Sequence, residues 1–200
     1  MSRLLLLLLT SSATLLVFGL WIPLKAVVAQ ELLELAWAET QARQTDARPW
    51  PWADTWPVAR IAVPELGDSM IVLDGSHGGS LAFGPGRIIG SDDGRGPVII
   101  AGHRDTHFQQ LQYLKPGSEV QLQSRSGQWR NYEVINARVV DSRAEQIDTQ
   151  RLADNELLLI TCYPFSSINP GGPLRYVVEA RSGIVKADHS MEQIDTVTGT

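Results

Sequence analysis

The chain changes its hydrophobic rhythm twice. From Leu4 to Leu24 it runs apolar through 21 positions without a charged residue. At about 1.5 Å per residue such a run makes a helix of about 31 Å, long enough to cross a bilayer. Arg3 precedes the run and Lys25 follows it, a start that favours the N-terminus inside and export of what comes after. Residues 1–29 read either as an uncleaved signal anchor or as a signal peptide cut after Val27-Val28-Ala29. The apolar run is longer than an ordinary signal-peptide core, which favours the anchor.

The second change comes in residues 30–57. Gln30 to Gln44 lacks Pro and Gly and carries Leu32, Leu33, Leu35, Ala36 and Trp37, so it reads as a helix continuing out of the membrane. As a sequence it is better explained as a spacer than as a partner site. Asp46 to Pro57 then packs three prolines and Trp50, Trp52 and Trp56 into one stretch that no regular element tolerates. Aromatics this dense are expected to strap onto the following domain, with an aromatic belt at the membrane surface as the second reading.

From residue 58 to 186 the pattern is β. Period-two alternation, as in Val120 and Leu122 against Gln121 and Gln123, marks strands separated by Gly and Asp clusters. The expected strands are Ala59–Val63, Met70–Leu73, Pro97–Ala101, Glu119–Gln123, Trp129–Val140, Leu157–Cys162 and Leu174–Lys186. Two short helical segments are expected, Thr106–Leu114 and a turn around Asp148–Ala153 capped by Asp148. Many short strands and few helices predict a mainly β domain, a barrel or sandwich. Residues 187–200 read as a polar, frayed tail.

Composition narrows the function classes. The net charge of −5 and pI near 5.3 argue against a nucleic-acid partner, which would want a basic face. The single cysteine excludes an internal disulfide and a multi-Cys metal site.

That cysteine also carries the candidate chemistry. Cys162 closes the apolar run Leu157–Ile160, and Pro164, Pro170, Gly171, Gly172 and Pro173 make the next stretch a loop. Arg175 opens the strand that follows, so thiol and guanidinium face one another across a hairpin mouth. Upstream, VIIAGHRDTH sets His103 just past another buried strand. A histidine near a cysteine can take its proton or pair with the thiolate, and a fixed arginine can hold the oxygen that turns negative when a carbonyl is attacked. Singly, each residue has a plainer account: most lone cysteines are small buried hydrophobes, and an arginine can be a surface charge. His103 and His107 also have metal-pair spacing, but no third ligand is evident. Asp105 either orients His103 or caps the helix, and capping is the commoner task. Asp92 and Asp93 read as a solvated turn, and His77 and His189 carry no signal.

These strings resemble the sortases, cysteine transpeptidases on a closed β-barrel. The resemblance runs from about Trp50 to Ala180. Its most specific pieces are PWPWADTWPVAR, LAFGPG, AGHRDTHF and TCYPF with PGGPLRYVV. They are similar to the single-sortase type of Gram-negative marine proteobacteria and to class D-like sortases. The resemblance implies a catalytic triad of His103, Cys162 and Arg175. It places Ala101, Leu159 and Thr161 beside the sorting peptide. The usual Thr-Leu-x-Thr-Cys signature stands here as Leu158-Leu159-Ile160-Thr161-Cys162, with Leu for the first Thr.

It further implies cleavage of an LPxTG-like C-terminal motif on an exported target protein, through a thioacyl enzyme resolved by an amine. No cofactor is implied and no metal ligand is assigned. Some relatives use calcium, for which Asp92 and Asp93 are the available acidic pair, but a solvated turn explains them better because no cage of further oxygen ligands is visible. The accepting amine is not specified. The expected location is the inner membrane, crossed once, with the catalytic domain facing the periplasm. Two rivals differ in class. An L,D-transpeptidase sets its cysteine in Ser-His-Gly-Cys-x-Arg, unlike Thr161-Cys162-Tyr163-Pro164. A non-catalytic, membrane-tethered β-domain would use the tryptophan segment to bind a partner.

Overall fold

A computed structural model describes residues 2–167 and 171–183 of the 200-residue chain. The expected tail, residues 187–200, and the end of the last expected strand at Lys186 lie outside the described residues. One helix, α1, runs from Ser2 to Arg43 and passes through Pro23. Eight strands follow: β1 Pro57–Val63, β2 Asp68–Asp74, β3 Gly86–Ile89, β4 Val98–Ala101, β5 Glu119–Gln123, β6 Trp129–Asp141, β7 Glu156–Cys162 and β8 Leu174–Ser182. A one-turn helix, α2, spans Gly78–Leu81.

The strands close into a barrel in the order β1-β2-β3-β4-β7-β8-β6-β5. Each strand therefore has a neighbour on both sides, although β3 meets β2 only at Leu73 and Asp74. Two neighbours are parallel, β2 with β3 and β4 with β7; the remaining pairs are antiparallel. Alternation sorts the side chains. Val98, Ile100, Leu157, Leu159, Val178 and Ala180 fill the interior with Val120, Leu122 and Tyr132. The intervening Ile99, Leu158 and Val177 face outward and are covered, with Val140, by Ile147 and Leu152 of the β6–β7 connection.

Seven strands fall where the alternation predicts, within a residue or two at their ends apart from β8. The eighth, β3, was not expected. It has four residues and lies between glycines, too short for a periodic signal. It closes tightly on β2: a Cβ on Gly86 would meet the Gly75 carbonyl oxygen at 2.1 Å. The expected Thr106–Leu114 helix is instead a set of turns ending in a 3₁₀ segment, Gln109–Tyr113. Its buried residues Phe108, Leu111 and Leu114 recur every three positions, the period of a 3₁₀ helix rather than an α-helix. The Asp148 turn forms as expected, with the aspartate side chain accepting from the Gln150 amide.

The spacer reading of residues 30–44 is corrected by the packing. Leu33 and Trp37, one turn apart on α1, are fully buried against Ile71 and Leu73 of β2, with Phe83 alongside. The Trp37 indole donates to Gln123, Gln30 donates to the Phe83 carbonyl, and Glu34 pairs with Arg60. The linker then straps back as expected. Trp56 packs on the core, Trp50 meets Phe83 edge-on, and Thr55 donates to the Asp74 carbonyl. Trp52 departs from the pattern and stays 82% exposed.

The Asp92 turn is also more than a solvated loop. Asp92 bridges Arg87 and Arg125, which reach on to Asp74 and Asp46, so carboxylates and guanidiniums tie β2, β3, the β5–β6 hairpin and the linker together.

If α1 is part of the barrel's packing, Trp37→Ala should destabilise the full chain by about 3–5 kcal/mol, the usual cost of emptying a large buried aromatic. Urea denaturation in detergent micelles measures this. An unchanged midpoint would return residues 30–44 to a spacer.

Candidate active site

The site is built from the ends of three adjacent strands. Parallel pairing sets Ala101 of β4 beside Ile160 of β7, and the Gly102 amide continues the ladder to the Ile160 carbonyl at 3.1 Å. Thr161 adds a staple, its buried hydroxyl donating to the Gly102 carbonyl at 2.8 Å. His103 and Cys162 are the next residues on each chain, so both emerge at the same end of the barrel. On the other side of β7, the antiparallel register sets Cys162 directly opposite Arg175 of β8. Cys162 shares the outward parity of Leu158 and Ile160, and Arg175 that of Val177. Thiol and guanidinium therefore project from one face. His103 is exposed, while Cys162 and Arg175 are half-buried.

The local sequence explains the sharp exit from β4. Gly102 lies against the Phe108 ring, where a Cβ would approach to 2.8 Å. A side chain there would push the His103 loop off the barrel. Phe108 is itself buried, and its amide bonds back to the His103 carbonyl.

Arg104 is the residue that sequence reasoning passed over. It is a nearly buried guanidinium, 4% exposed, between the His103 loop and the loop after Cys162. It donates to the Pro164 carbonyl at 2.9 Å and the Ser167 carbonyl at 2.8 Å, and forks onto Asp105. These bonds to Asp105 raise the arginine's pKa; burial opposes them, while the charges of Asp105 and Cys162 reinforce them. The same pair holds the Asp105 carboxyl below its ordinary range. Asp105 thus neither caps a helix nor hydrogen-bonds His103, although the His103 charge also favours its ionised form. The signal for Arg104 was faint: an arginine between a candidate histidine and a carboxylate reads as solvated until its burial is known.

The loop after Cys162 is anchored a second way. Tyr163, Phe165 and Tyr176 form an aromatic cluster with centroids 5.2 to 6.3 Å apart, and the Tyr163–Pro164 peptide is cis. Across the mouth, Arg175 donates to the Gly172 and Leu174 carbonyls at 2.7 and 2.9 Å.

The three residues assigned to substrate contact fare differently. Ala101 is partly exposed. Leu159 is fully buried in the interior and Thr161 is 2% exposed with its hydroxyl committed to Gly102. Both side chains are buried here and support the strand that ends in Cys162.

Residues 61–182 match the model of the Sortase domain family. The chain is 30% identical over 120 residues to Sortase D of Bacillus subtilis, an alignment covering 59% of this chain and 60% of that protein. Among solved structures, it resembles sortase C-1 of Actinomyces oris with a TM-score of 0.54 and 28% identity, covering 63% of this chain and 72% of that one. It also shares the fold of a sortase D5 transpeptidase of Clostridium perfringens, at a TM-score of 0.55 and 20% identity, covering 78% of this chain and 98% of that one. The closed β-barrel is the fold this chain shares with these structures. The chain belongs to the sortase family.

Two outcomes test the site's frame. Arg104→Ala strips hydrogen bonds from the Pro164 and Ser167 carbonyls and should cost about 1–3 kcal/mol in chemical denaturation. Arg104→Lys should recover only part, because an ammonium cannot span both carbonyls and Asp105 as the planar fork does. The second outcome concerns His107, whose pKa burial holds below the ordinary 6.5, with the nearby His103 charge adding to the effect. The folded state resists protonating it. Its contribution is therefore full above pH 6.5 and is lost as pH falls through the depressed folded value. The melting temperature should drop on acidification from pH 6.5 down to that folded value, and His107→Gln should flatten the drop. An unchanged slope would place the acid sensitivity elsewhere.

Proposed function

We propose that the chain is a membrane-anchored cysteine transpeptidase that cuts an LPxTG-like motif near the C-terminus of an exported protein and passes the acyl group to an amine. The observation that carries this reading is the strand register, which sets Cys162 between the His103 strand end and Arg175 at one open mouth. Family membership supports the same chemistry.

The thiolate of Cys162 attacks the carbonyl carbon of the motif's threonine. A C–S bond forms and the carbonyl oxygen takes the negative charge. Arg175, opposite Cys162, donates hydrogen bonds to that oxygen. The oxyanion collapses, the peptide C–N bond breaks, and His103 protonates the departing amine. The acyl group is now a thioester on Cys162. An incoming amine loses a proton to His103, attacks the thioester, and releases the thiolate.

Leu4–Leu24 supports the anchoring. α1 is the one helix among the described residues long and apolar enough to cross a membrane, and none of its most apolar window is buried within the molecule. In this reading α1 spans the inner membrane once and the barrel works on the periplasmic side.

A labelled LPxTG-type peptide and an amine acceptor test the chemistry. Cys162→Ala and His103→Ala should abolish turnover while the fold survives. Arg175→Lys should slow acylation by roughly a hundred- to a thousand-fold, the cost of one oxyanion donor, with an unchanged melting temperature. Substantial turnover by Cys162→Ala would overturn the proposal. A near-full rate in Arg175→Lys would reduce that residue to a simple positive charge.

A further inference from the structure

The cleft between α1 and the tryptophan linker has no place in the catalytic scheme. It is a largely apolar space of about 720 Å³. Trp21, Leu24, Lys25 and Val28 line it from the helix; Trp50, Trp52 and Phe83 line it from the barrel side. We propose that this cleft is where the barrel seats on the bilayer, and that its occupant is phospholipid of the leaflet from which α1 emerges. The inference rests on α1 being a membrane span.

Depth along the helix supports it. The apolar span ends at Leu24, and the barrel's grip on α1 begins where Gln30 donates to the Phe83 carbonyl at 2.9 Å. Six residues of helix rise about 9 Å. The headgroup layer outside the hydrocarbon is about 5–8 Å thick on each side. Gln30 therefore stands at the outer edge of the headgroups, and the cleft, lined by α1 from Trp21 to Leu32, runs from the end of the hydrocarbon through them. No gap separates the barrel from the membrane surface.

The residue types suit that depth. Tryptophan is enriched at the boundary between hydrocarbon and water, where its ring has one apolar body and one polar N–H. Trp21 is 53% exposed and Trp52 82% exposed, against Trp37, which the domain buries. Burying one such ring removes about 150–250 Å² from water. Lys25 holds its ammonium 4.9 Å from the Trp21 ring centre, at the level of lipid phosphates. Asp54 also lines the cleft, so the two charges offset and zwitterionic lipid is sufficient.

The apolar wall is continuous with the lipid-facing side of the span, where Leu16 and Leu20 are 62% and 64% exposed. An adjoining cleft lined by Lys25, Gln30, Phe83 and His107 brings the His103 loop to the same end of the barrel. Seating at this cleft thereby fixes the height of the catalytic mouth above the membrane.

Spin labels on the full chain in palmitoyl-oleoyl-phosphatidylcholine nanodiscs test the proposal. Cys162→Ala removes the native thiol. Single labels then go on through Trp52→Cys, Leu16→Cys for the span and Ser126→Cys for a distant reference. Ser126 lies in the β5–β6 hairpin beside Gln41 and Gln44, about 26–30 Å along α1 from Leu24. Collision with oxygen, which partitions into lipid, is compared with collision with a water-soluble nickel chelate. The oxygen-to-nickel ratio at position 52 should exceed that at 126 several-fold and fall below that at 16.

If 16 is lipid-exposed while 52 is as aqueous as 126, the seating is wrong and the span stands. If 16 is itself aqueous, the span falls and the seating with it. Spectral broadening at 52 that disappears on dilution with unlabelled protein would assign the cleft to a second copy and overturn the proposal. The native ring is checked with brominated phosphatidylcholine. The quenched share of fluorescence should fall in Trp52→Phe, and an unchanged share would also overturn the seating.

Discussion

Parallel pairing of β4 with β7 is the constraint on which the site depends. These strands are far apart in sequence and close in the barrel, and their parallel run makes both chains leave at the same end. Because the ladder is in register up to Ala101 and Ile160, the backbone alone brings His103 and Cys162 out at the same end. Thr161 fixes that register with a buried hydroxyl that donates to the Gly102 carbonyl. A one-residue slip would turn Cys162 inward and leave the Thr161 hydroxyl outside. The interior layers of Leu157, Leu159, Val98 and Ile100 resist such a slip, since it would move every apolar side chain to the wrong face.

The loops that leave this pair are held by different physics on each side. On the His103 side, close packing governs: Gly102 admits the Phe108 ring, and the turn that follows keeps to a period of three. On the Cys162 side, one buried guanidinium takes over. Arg104 gathers two carbonyls of the Pro164–Ser167 loop, while three aromatic rings hold the loop's inner face to β8. A charge is tolerated there because its donors are matched by carbonyl and carboxylate oxygens, as a nearly buried arginine requires. His103 is thereby coupled to the cysteine loop by its own sequence neighbour.

The helix that precedes the barrel belongs to the same design. Its outer end covers Ile71 and Leu73 of β2, surface that a bare barrel would expose, and the linker then turns back so that Trp56 reaches the core. The consequence is orientational. A flexible linker would leave the barrel free to turn on the helix, whereas packed Leu33 and Trp37 and the Glu34–Arg60 pair hold barrel and α1 as one piece.

Much of this was legible in the chain. The apolar run Leu4–Leu24, the alternation of seven strands and the placement of His103 and Cys162 after buried strands follow from periodicities that local sequence must obey. The strings around them, AGHRD and TCYPF, carried the family. What periodicity could not carry was partnership. Nothing local says that β4 pairs with β7, that the four residues of β3 form a strand, or that the Leu159 and Thr161 side chains are buried. Nor does it say that Trp37 is buried while Trp52 is bare, or that Arg104 is sheltered. Those outcomes are set by contacts between residues distant in sequence, and a side chain's exposure is a property of what the closed barrel brings against it.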